Sequence, residues 1–194
     1  MNIVTTKVVQ ADQAALVVSY QDTSLEILNN GHTVEDDYHN GGTLTVDGHE
    51  YKLSQFHFHS PSEHTLDGKH APLELHLVHK DAAGKLAVIG VLIQLGPAQP
   101  ELAVLWQHLP TKPGRKEEVE GVQVNASRLL PASLASYRYS GSLTTPPCSE
   151  DVAWFVLQQP ITASAEQIAA FRKVISRNNR PTQPLHGRTI TATK

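Results

Sequence analysis

Two segments of this sequence alternate residue by residue, Gln55-Phe56-His57-Phe58-His59 and Glu74-Leu75-His76-Leu77-Val78-His79. Alternate residues of a β-strand share a face, so the first segment places its glutamine and both histidines on one face and both phenylalanines on the other. The second segment likewise places its glutamate and His76 on one face, with its leucines opposite. If the two strands pair antiparallel, the imidazoles of His57, His59 and His76 can converge on one point.

Length and composition predict one globular domain that spans residues 1–194. The chain is long enough to bury a core, and 40% of its residues are hydrophobic and 18% charged. Its net charge of −3 and the lack of a basic block give no reason to expect nucleic acid or a membrane as a partner. No apolar run reaches the ~18 residues of a membrane-spanning helix. The single cysteine, Cys148, cannot form a disulfide within the chain.

Periodicity and turn signals predict many strands and few helices. Apolar alternation predicts strands over 3–9, 15–20, 25–28, 44–46, 49–59, 86–95 and 151–157. Asp47-Gly48 predicts a hairpin turn, and Pro61 predicts the end of the strand that carries His59. Apolar residues at helical spacing predict helices over 100–108 and 164–176, the second with a capping box, and the polar segment 110–121 predicts a loop. We therefore expect a β-dominated α+β fold, with a central twisted, largely antiparallel sheet and a few peripheral helices.

Three neutral imidazoles with a fourth position left open are the ligand set of a catalytic zinc site. A single buried histidine is more often a hydrogen-bonded core residue, but two histidines on one strand face seldom help packing. A ligating histidine usually donates its other ring N–H to a carboxylate, amide or carbonyl, which fixes its tautomer. Gln55 and Glu74 lie two residues before His57 and His76 on the predicted ligand face. We expect them to accept these bonds, although in isolation each would be a solvated strand residue.

A second metal motif overlaps the first. His57-x-His59-x-x-x-Glu63 matches the cupin pattern, in which the glutamate ligates iron or manganese. That pattern expects a glycine six residues before the first histidine, where this chain has Tyr51. It also expects a later Pro-x-Gly-x-x-His signature, which is not found around His76 or downstream. The sequence therefore favours the three-histidine site.

Four motifs then follow one another along the chain. They are Gln55-Phe-His-Phe-His59, Ser62-Glu63-His64, Glu74-Leu-His-Leu-Val-His79 and Ser142-Leu-Thr-Thr-Pro-Pro147. Together with Asn30-Gly31-His32 and the late Asn179-Arg180-Pro181-x-Gln183-Pro184, they resemble the α-class carbonic anhydrases of bacterial type. The resemblance covers nearly the whole chain and implies a zinc enzyme that reversibly hydrates CO₂ to bicarbonate and a proton.

The resemblance also implies roles for individual residues. His57, His59 and His76 hold the zinc, and water or hydroxide is the fourth ligand. The Thr144 hydroxyl accepts from the zinc hydroxide and donates to Glu63, which orients the hydroxide toward its substrate. His32 resembles the residue that carries the released proton to buffer, since a histidine can take up and release protons near neutral pH.

Substrate-binding residues are implied in the same way. CO₂ is small and apolar, and the matches for a recess beside the metal are Val78, Val88, Leu143 and Trp154, each of which could equally be a core residue. Thr145 matches a position that borders the bicarbonate.

Members of this family normally begin with a further segment that ends in Gln-Ser-Pro-Ile and contributes a tyrosine near the active site. We expect this chain to be N-terminally short, and Cys148 matches one half of a disulfide whose other half would lie in that segment. The alternative function is therefore a zinc-binding module with weakened catalysis. The resemblance further implies a periplasmic or secreted location, although we find no export signal in this sequence. It is also compatible with a homodimer.

Overall fold

The computed structural model describes residues 1–39, 41–114 and 116–193, which form sixteen strands and two α-helices. The strands are β1 (Asn2–Ile3), β2 (Val9–Ala11), β3 (Val17–Tyr20), β4 (Thr23–Asn29), β5 (Val34–Asp37), β6 (Gly42–Val46), β7 (His49–His59), β8 (Thr65–Leu66), β9 (Lys69–His70), β10 (Leu73–Lys80), β11 (Leu86–Leu95), β12 (Glu117–Val124), β13 (Ser136–Gly141), β14 (Val152–Leu157), β15 (Ile161–Ala163) and β16 (Thr191–Thr193). The helices are α1 (Pro100–Gln107) and α2 (Ala165–Val174), and short 3₁₀ helices cover Thr5–Lys7 and Ala126–Leu129.

One large sheet of thirteen strands dominates the fold. Its order is β12-β4-β5-β7-β10-β11-β14-β13-β16-β2, with β3, β6 and β15 paired off this path. Most neighbours are antiparallel, while β11 pairs in parallel with β14 and β15, and β16 does so with β2. This architecture confirms the predicted β-dominated α+β fold with a twisted, largely antiparallel sheet.

The centre of the sheet is set by the hairpin of β6 and β7 and by the pairing of β7 with β10. Asp47 and Gly48 both have positive φ, 52° and 74°, as a two-residue hairpin of type I′ requires. The strand that follows runs to His59 and ends before Pro61, as predicted. In the antiparallel pair of β7 and β10, His57 lies directly opposite His76.

Apolar side chains collect into two clusters. The larger cluster contains Phe56, Phe58, Leu75 and Leu77, together with the buried faces of both α-helices. The smaller cluster contains Ile3, Val88, Val152, Trp154, Val156 and Ile190. Since strand residues alternate, the three histidines point away from the helices, toward the face that carries the smaller cluster.

Both predicted helices are confirmed and end slightly earlier than expected. Pro100 is the first residue of α1, and the side chain of Gln99 caps its first turn. The capping box of Ser164 and Gln167 opens α2. In both helices the apolar stripe, including Leu105 and Phe171, is buried in the larger cluster.

Two predicted segments are wrong. The segment 110–121, predicted as a loop, contains most of β12, which pairs with β4 across a register shift; Arg115 of that segment lies outside the described residues. Its glutamates suit an edge strand, and the register shift between Val119 and Gln123 interrupts the alternation of the valines that contact the core. The single strand predicted over 3–9 is instead β1, a 3₁₀ helix and the start of β2.

Candidate metal centre

Three histidine rings meet on one face of the central strands. His57 and His59 lie on β7 and His76 on β10, and all three are buried. Their ring centroids are 4.5 to 5.3 Å apart, and one nitrogen from each ring lies within 4.8 Å of the other two. These atoms could hold a metal ion.

The other nitrogen of each ring has an acceptor. Nδ1 of His57 lies 2.8 Å from Oε1 of Gln55, and Nε2 of His76 lies 3.0 Å from Oε1 of Glu74. Nδ1 of His59 lies 3.4 Å from the backbone oxygen of Asn178. The nitrogens left over are Nε2 of His57 and His59 and Nδ1 of His76. Among the described residues, Nε2 of His59 is buried and has no hydrogen-bond partner. A buried nitrogen without a partner is expected where the atom binds a metal ion.

Burial keeps the rings of His57 and His59 neutral. Burial, reinforced by the neighbouring imidazoles, holds the pKa of His57 well below its usual value, and burial together with the neighbouring ring of His76 lowers the pKa of His59 to about 4. A neutral imidazole has a free lone pair, so the rings of His57 and His59 can bind a cation at neutral pH.

Glu74 connects the centre to a buried chain of polar groups. Its Oε1 accepts from His76 and, at 2.6 Å, from Nδ1 of His64, whose Nε2 lies 2.7 Å from the hydroxyl of Tyr139. Its Oε2 accepts from the backbone N–H groups of Glu63 and His64. Burial opposes ionisation of Glu74, but the two rings and their hydrogen bonds hold its pKa well below the usual value.

The position opposite His76 must be small for this carboxylate to fit. Gly90 on β11 pairs with His76, and a Cβ added there would lie 3.1 Å from Oε1 of Glu74. A glycine in the middle of a buried strand is unfavourable by itself, so the close approach of Glu74 explains it.

Glu63 and Thr144 lie near one another without a direct bond. Oε1 of Glu63 accepts from the backbone N–H of Arg180 at 2.7 Å, whereas Oε2 is buried and has no partner among the described residues. No hydrogen bond joins Thr144 to Glu63 in the described chain. Both residues line one small cavity of about 60 Å³.

An open cavity of about 430 Å³ leads from solvent to His59. Its lining includes His32, Thr144, Thr145 and Arg180. His32 is exposed on a turn whose backbone is held by Asn30. The cavity thus brings together four residues that the sequence predicted at the site: His32, His59, Thr144 and Thr145.

The four residues predicted to form an apolar recess belong to a different part of the site from the open cavity. Val78, Val88, Leu143 and Trp154 all belong to the smaller apolar cluster or pack against it, and the Trp154 ring lies 4.8 Å from that of His76. None of the four is among the described residues that line the open cavity. Val78 and Leu143 are half-buried, whereas Val88 and Trp154 are buried.

Four residues at the centre were not predicted to act there. They are His64, Tyr139, Asn178 and Glu35, which accepts from Gln55. His64 had one signal, its place in the Ser62-Glu63-His64 motif, but the other three reach the site from distant or unmarked segments.

The fold and the site together have the form of a metalloenzyme, in which one large sheet carries three histidines that could hold a metal ion beside an open cavity. The family model for eukaryotic-type carbonic anhydrase matches residues 1–194. The carbonic anhydrase of Pectobacterium carotovorum is 49% identical over 181 residues, which are 93% of this chain and 74% of that protein. The carbonic anhydrase of a Nostoc species is 45% identical, covering 93% of this chain and 68% of that protein.

A solved structure shows the same likeness. The α-carbonic anhydrase of Thermovibrio ammonificans, in complex with the inhibitor sulfanilamide, superposes with a TM-score of 0.95 at 44% identity, covering 100% of this chain and 85% of that one. The chain belongs to the α-carbonic anhydrase family, and its reaction is the reversible hydration of carbon dioxide.

Proposed function

We propose that His57, His59 and His76 hold a zinc ion with which the protein hydrates CO₂ to bicarbonate and a proton. The observation that carries this proposal is that the two nitrogens of each ring have different surroundings. One nitrogen faces the common point and the other is engaged by Gln55, Asn178 or Glu74. A zinc ion held there supplies the Lewis acidity that makes water a nucleophile at neutral pH, chemistry for which carbonic anhydrase is the standard example.

Glu63 and Thr144 orient the nucleophile in this proposal. Oε2 of Glu63 is a buried acceptor with an unmet hydrogen bond, and the hydroxyl of Thr144 is the donor that we assign to it. A threonine that donates to a carboxylate has its own lone pairs turned toward the reacting water. Holding the nucleophile in one orientation removes part of the entropic cost of the reaction.

His32 carries the released proton to buffer. It is exposed, and it shares the open cavity with His59, so a chain of water molecules has room to connect the metal centre to its ring. A histidine side chain can take up and release protons around neutral pH.

The substrate approaches past Thr145 and lies against the apolar side of the centre. Val78, Val88, Leu143 and Trp154 supply that side, and their membership of one apolar cluster next to His76 supports this assignment. CO₂ has no net dipole and gains little from polar contacts, so an apolar surface beside the nucleophile suits it.

Metal removal tests the proposal. Dialysis against a strong chelator should reduce CO₂ hydration, followed by stopped-flow, to the uncatalysed rate, and one equivalent of zinc per chain should restore it. His59→Ala should not recover with zinc. His186→Asn, a matched control at an exposed histidine with φ of 48° that asparagine tolerates, should behave like the wild type. A metal-free protein that hydrates CO₂ as fast as the zinc-loaded one would contradict the proposal.

Location belongs to the same proposal. No helix in the described parts of the chain is both long and apolar enough to cross a membrane. We assign the protein to the periplasm or the secreted fraction, on the strength of its similarity to bacterial members of the family. Fractionation of the source cells with an antibody to the protein tests this assignment.

A further inference from the structure

Glu35 lies next to the metal centre without touching it. It is half-buried on β5, and its backbone pairs directly with His57 on β7. Its Oε2 lies 3.1 Å from Nε2 of Gln55, the residue whose Oε1 faces Nδ1 of His57 at 2.8 Å. The three side chains therefore form a chain of hydrogen bonds that ends at a candidate metal ligand.

The donors and acceptors in this series of hydrogen bonds can be assigned from the carboxylate. An ionised carboxylate can only accept hydrogen bonds, so Glu35 requires the amide nitrogen of Gln55 to face it. The amide oxygen of Gln55 must then face His57, and an oxygen can only accept from the ring. His57 consequently carries its proton on Nδ1 and leaves the lone pair of Nε2 free.

Gln55 alone would not impose this order. A glutamine amide can rotate by half a turn at little cost and present its NH₂ group to the imidazole. His57 would then accept at Nδ1 and hold its proton on Nε2, the atom that would ligate the metal. Only a neighbour with acceptors and no donors forbids this rotation.

We propose that Glu35 is a positioning residue that locks the amide of Gln55 and thereby the metal-binding tautomer of His57. The inference rests on the proposed function, since it assigns His57 as a zinc ligand. It adds a residue two hydrogen-bond steps from the metal, contributed by a strand that carries no ligand.

The neighbouring Asp37 supplies a matched control. It lies on the same strand and face as Glu35, is likewise half-buried, and its backbone pairs with Gln55. Its carboxylate forms an ion pair with Lys116 instead of a hydrogen bond with Gln55. Asp37→Asn therefore removes a negative charge at the same depth but leaves the amide lock intact.

The tautomer can be read without any metal. In zinc-free, ¹⁵N-labelled protein, the ring nitrogen shifts of His57 should report a proton on Nδ1 in the wild type and in Asp37→Asn. Glu35→Ala should show a mixture of both tautomers. Glu35→Gln keeps an acceptor but regains a donor, so it should fall between the two. Since Glu35→Gln is close in shape to the wild type, it provides the comparison if the alanine variant does not fold.

Zinc affinity supplies the second readout. Loss of a direct partner of a ligating histidine typically weakens metal binding ~10–100-fold, and a residue one step further away should cost less. We expect Glu35→Ala to weaken zinc binding about 3- to 10-fold. Competition with a chromogenic chelator measures this affinity. In a Gln55→Ala background the same change should have no effect, because the amide through which Glu35 acts is gone.

The outcomes separate this inference from the proposed function. If the wild type binds zinc but Glu35→Ala keeps the wild-type tautomer, the inference is wrong and the proposed function stands. If Glu35→Ala weakens zinc binding equally in the wild-type and Gln55→Ala backgrounds, the carboxylate acts through its charge and the positioning role is wrong. If the wild type does not bind zinc, the proposed function itself fails.

Discussion

Replacing Glu74 by glutamine should weaken metal binding and destabilise the protein at the same time. The carboxylate is fully buried and accepts four hydrogen bonds, two from the rings of His64 and His76 at Oε1 and two from backbone N–H groups at Oε2. A glutamine amide keeps one acceptor and turns the other atom into a donor. Whichever way it faces, two buried donors lose their acceptor.

The magnitude follows from that count. A buried donor left unsatisfied costs about 1–3 kcal/mol, so two of them should lower the free energy of unfolding by about 2–6 kcal/mol. A domain commonly has ~5–15 kcal/mol of stability, so the variant should still fold at low temperature. If the amide nitrogen faces the rings, His76 must release its Nε2 proton and hold one on Nδ1, the atom that would bind the metal. Zinc affinity should then fall ~10–100-fold.

Urea unfolding of the metal-free variant measures the first effect, and chelator competition measures the second. Glu101→Gln is the matched control, because Glu101 is also buried and accepts from the backbone N–H of Asn125 at 2.7 Å and from Arg128. Glu101 lies in the first turn of α1, and its partners Asn125 and Arg128 are not part of the metal centre, so its change should lower stability and leave zinc affinity within about twofold. If Glu74→Gln lost stability but bound zinc like the wild type, the bond to His76 would have no part in holding the metal.

Three other changes test the remaining assignments. His32→Ala should slow CO₂ hydration in weak buffer and recover with added imidazole, and an unchanged rate in weak buffer would oppose the proton-transfer role. Zinc at ~1,000 times its dissociation constant should raise the unfolding free energy by about 4 kcal/mol, a shift that His59→Ala should lose. Burial raises the pKa of Asp36 to about 8, so between the unfolded pKa of ~3.9 and that value the folded state holds a proton that the unfolded state has released. Asp36 therefore contributes a fall in stability of about 1.4 kcal/mol per pH unit as pH rises through this range. Urea unfolding measured from about pH 4 to about pH 8 should show this slope as the difference between the wild type and Asp36→Asn, and an equal pH dependence of the two proteins would refute the assignment.

The sequence predicted β7 and β10, the strands that carry the three histidines, because their signal is local. Alternation places His57 and His59 on one face whatever the rest of the chain does, and the register of β7 against β10 follows from burying the phenylalanines and leucines together. The edge strand β12 had no such signal. Its glutamates are exposed, and the register shift between Val119 and Gln123 interrupts the spacing of its valines, so the sequence shows no regular apolar alternation.

The supporting residues were harder to predict, for a different reason. His64 lies in the short connection after β7, and its place is fixed by Glu74 and by Tyr139, which is 75 residues away in the chain. Glu35 resembles any solvated strand glutamate until the pairing of β5 with β7 sets it beside Gln55. Contacts of this kind depend on which strands become neighbours, and no periodicity within one strand records that choice.

Asn178 shows how strongly the metal centre depends on the finished fold. Its backbone oxygen faces His59, while its side chain bonds the backbone of Ser60 at 2.8 Å and the oxygens of His32 and Phe58 at 2.9 Å. One residue from the segment after α2 thus contacts the ring of His59, the end of β7 and the turn that carries His32, the candidate for proton transfer. Two rings have their partner two residues away on the same strand, so they are oriented as soon as the sheet forms. The third is oriented only when this late segment docks, and the ring nitrogens are therefore brought to a common point by tertiary structure as well as by the strands that carry them.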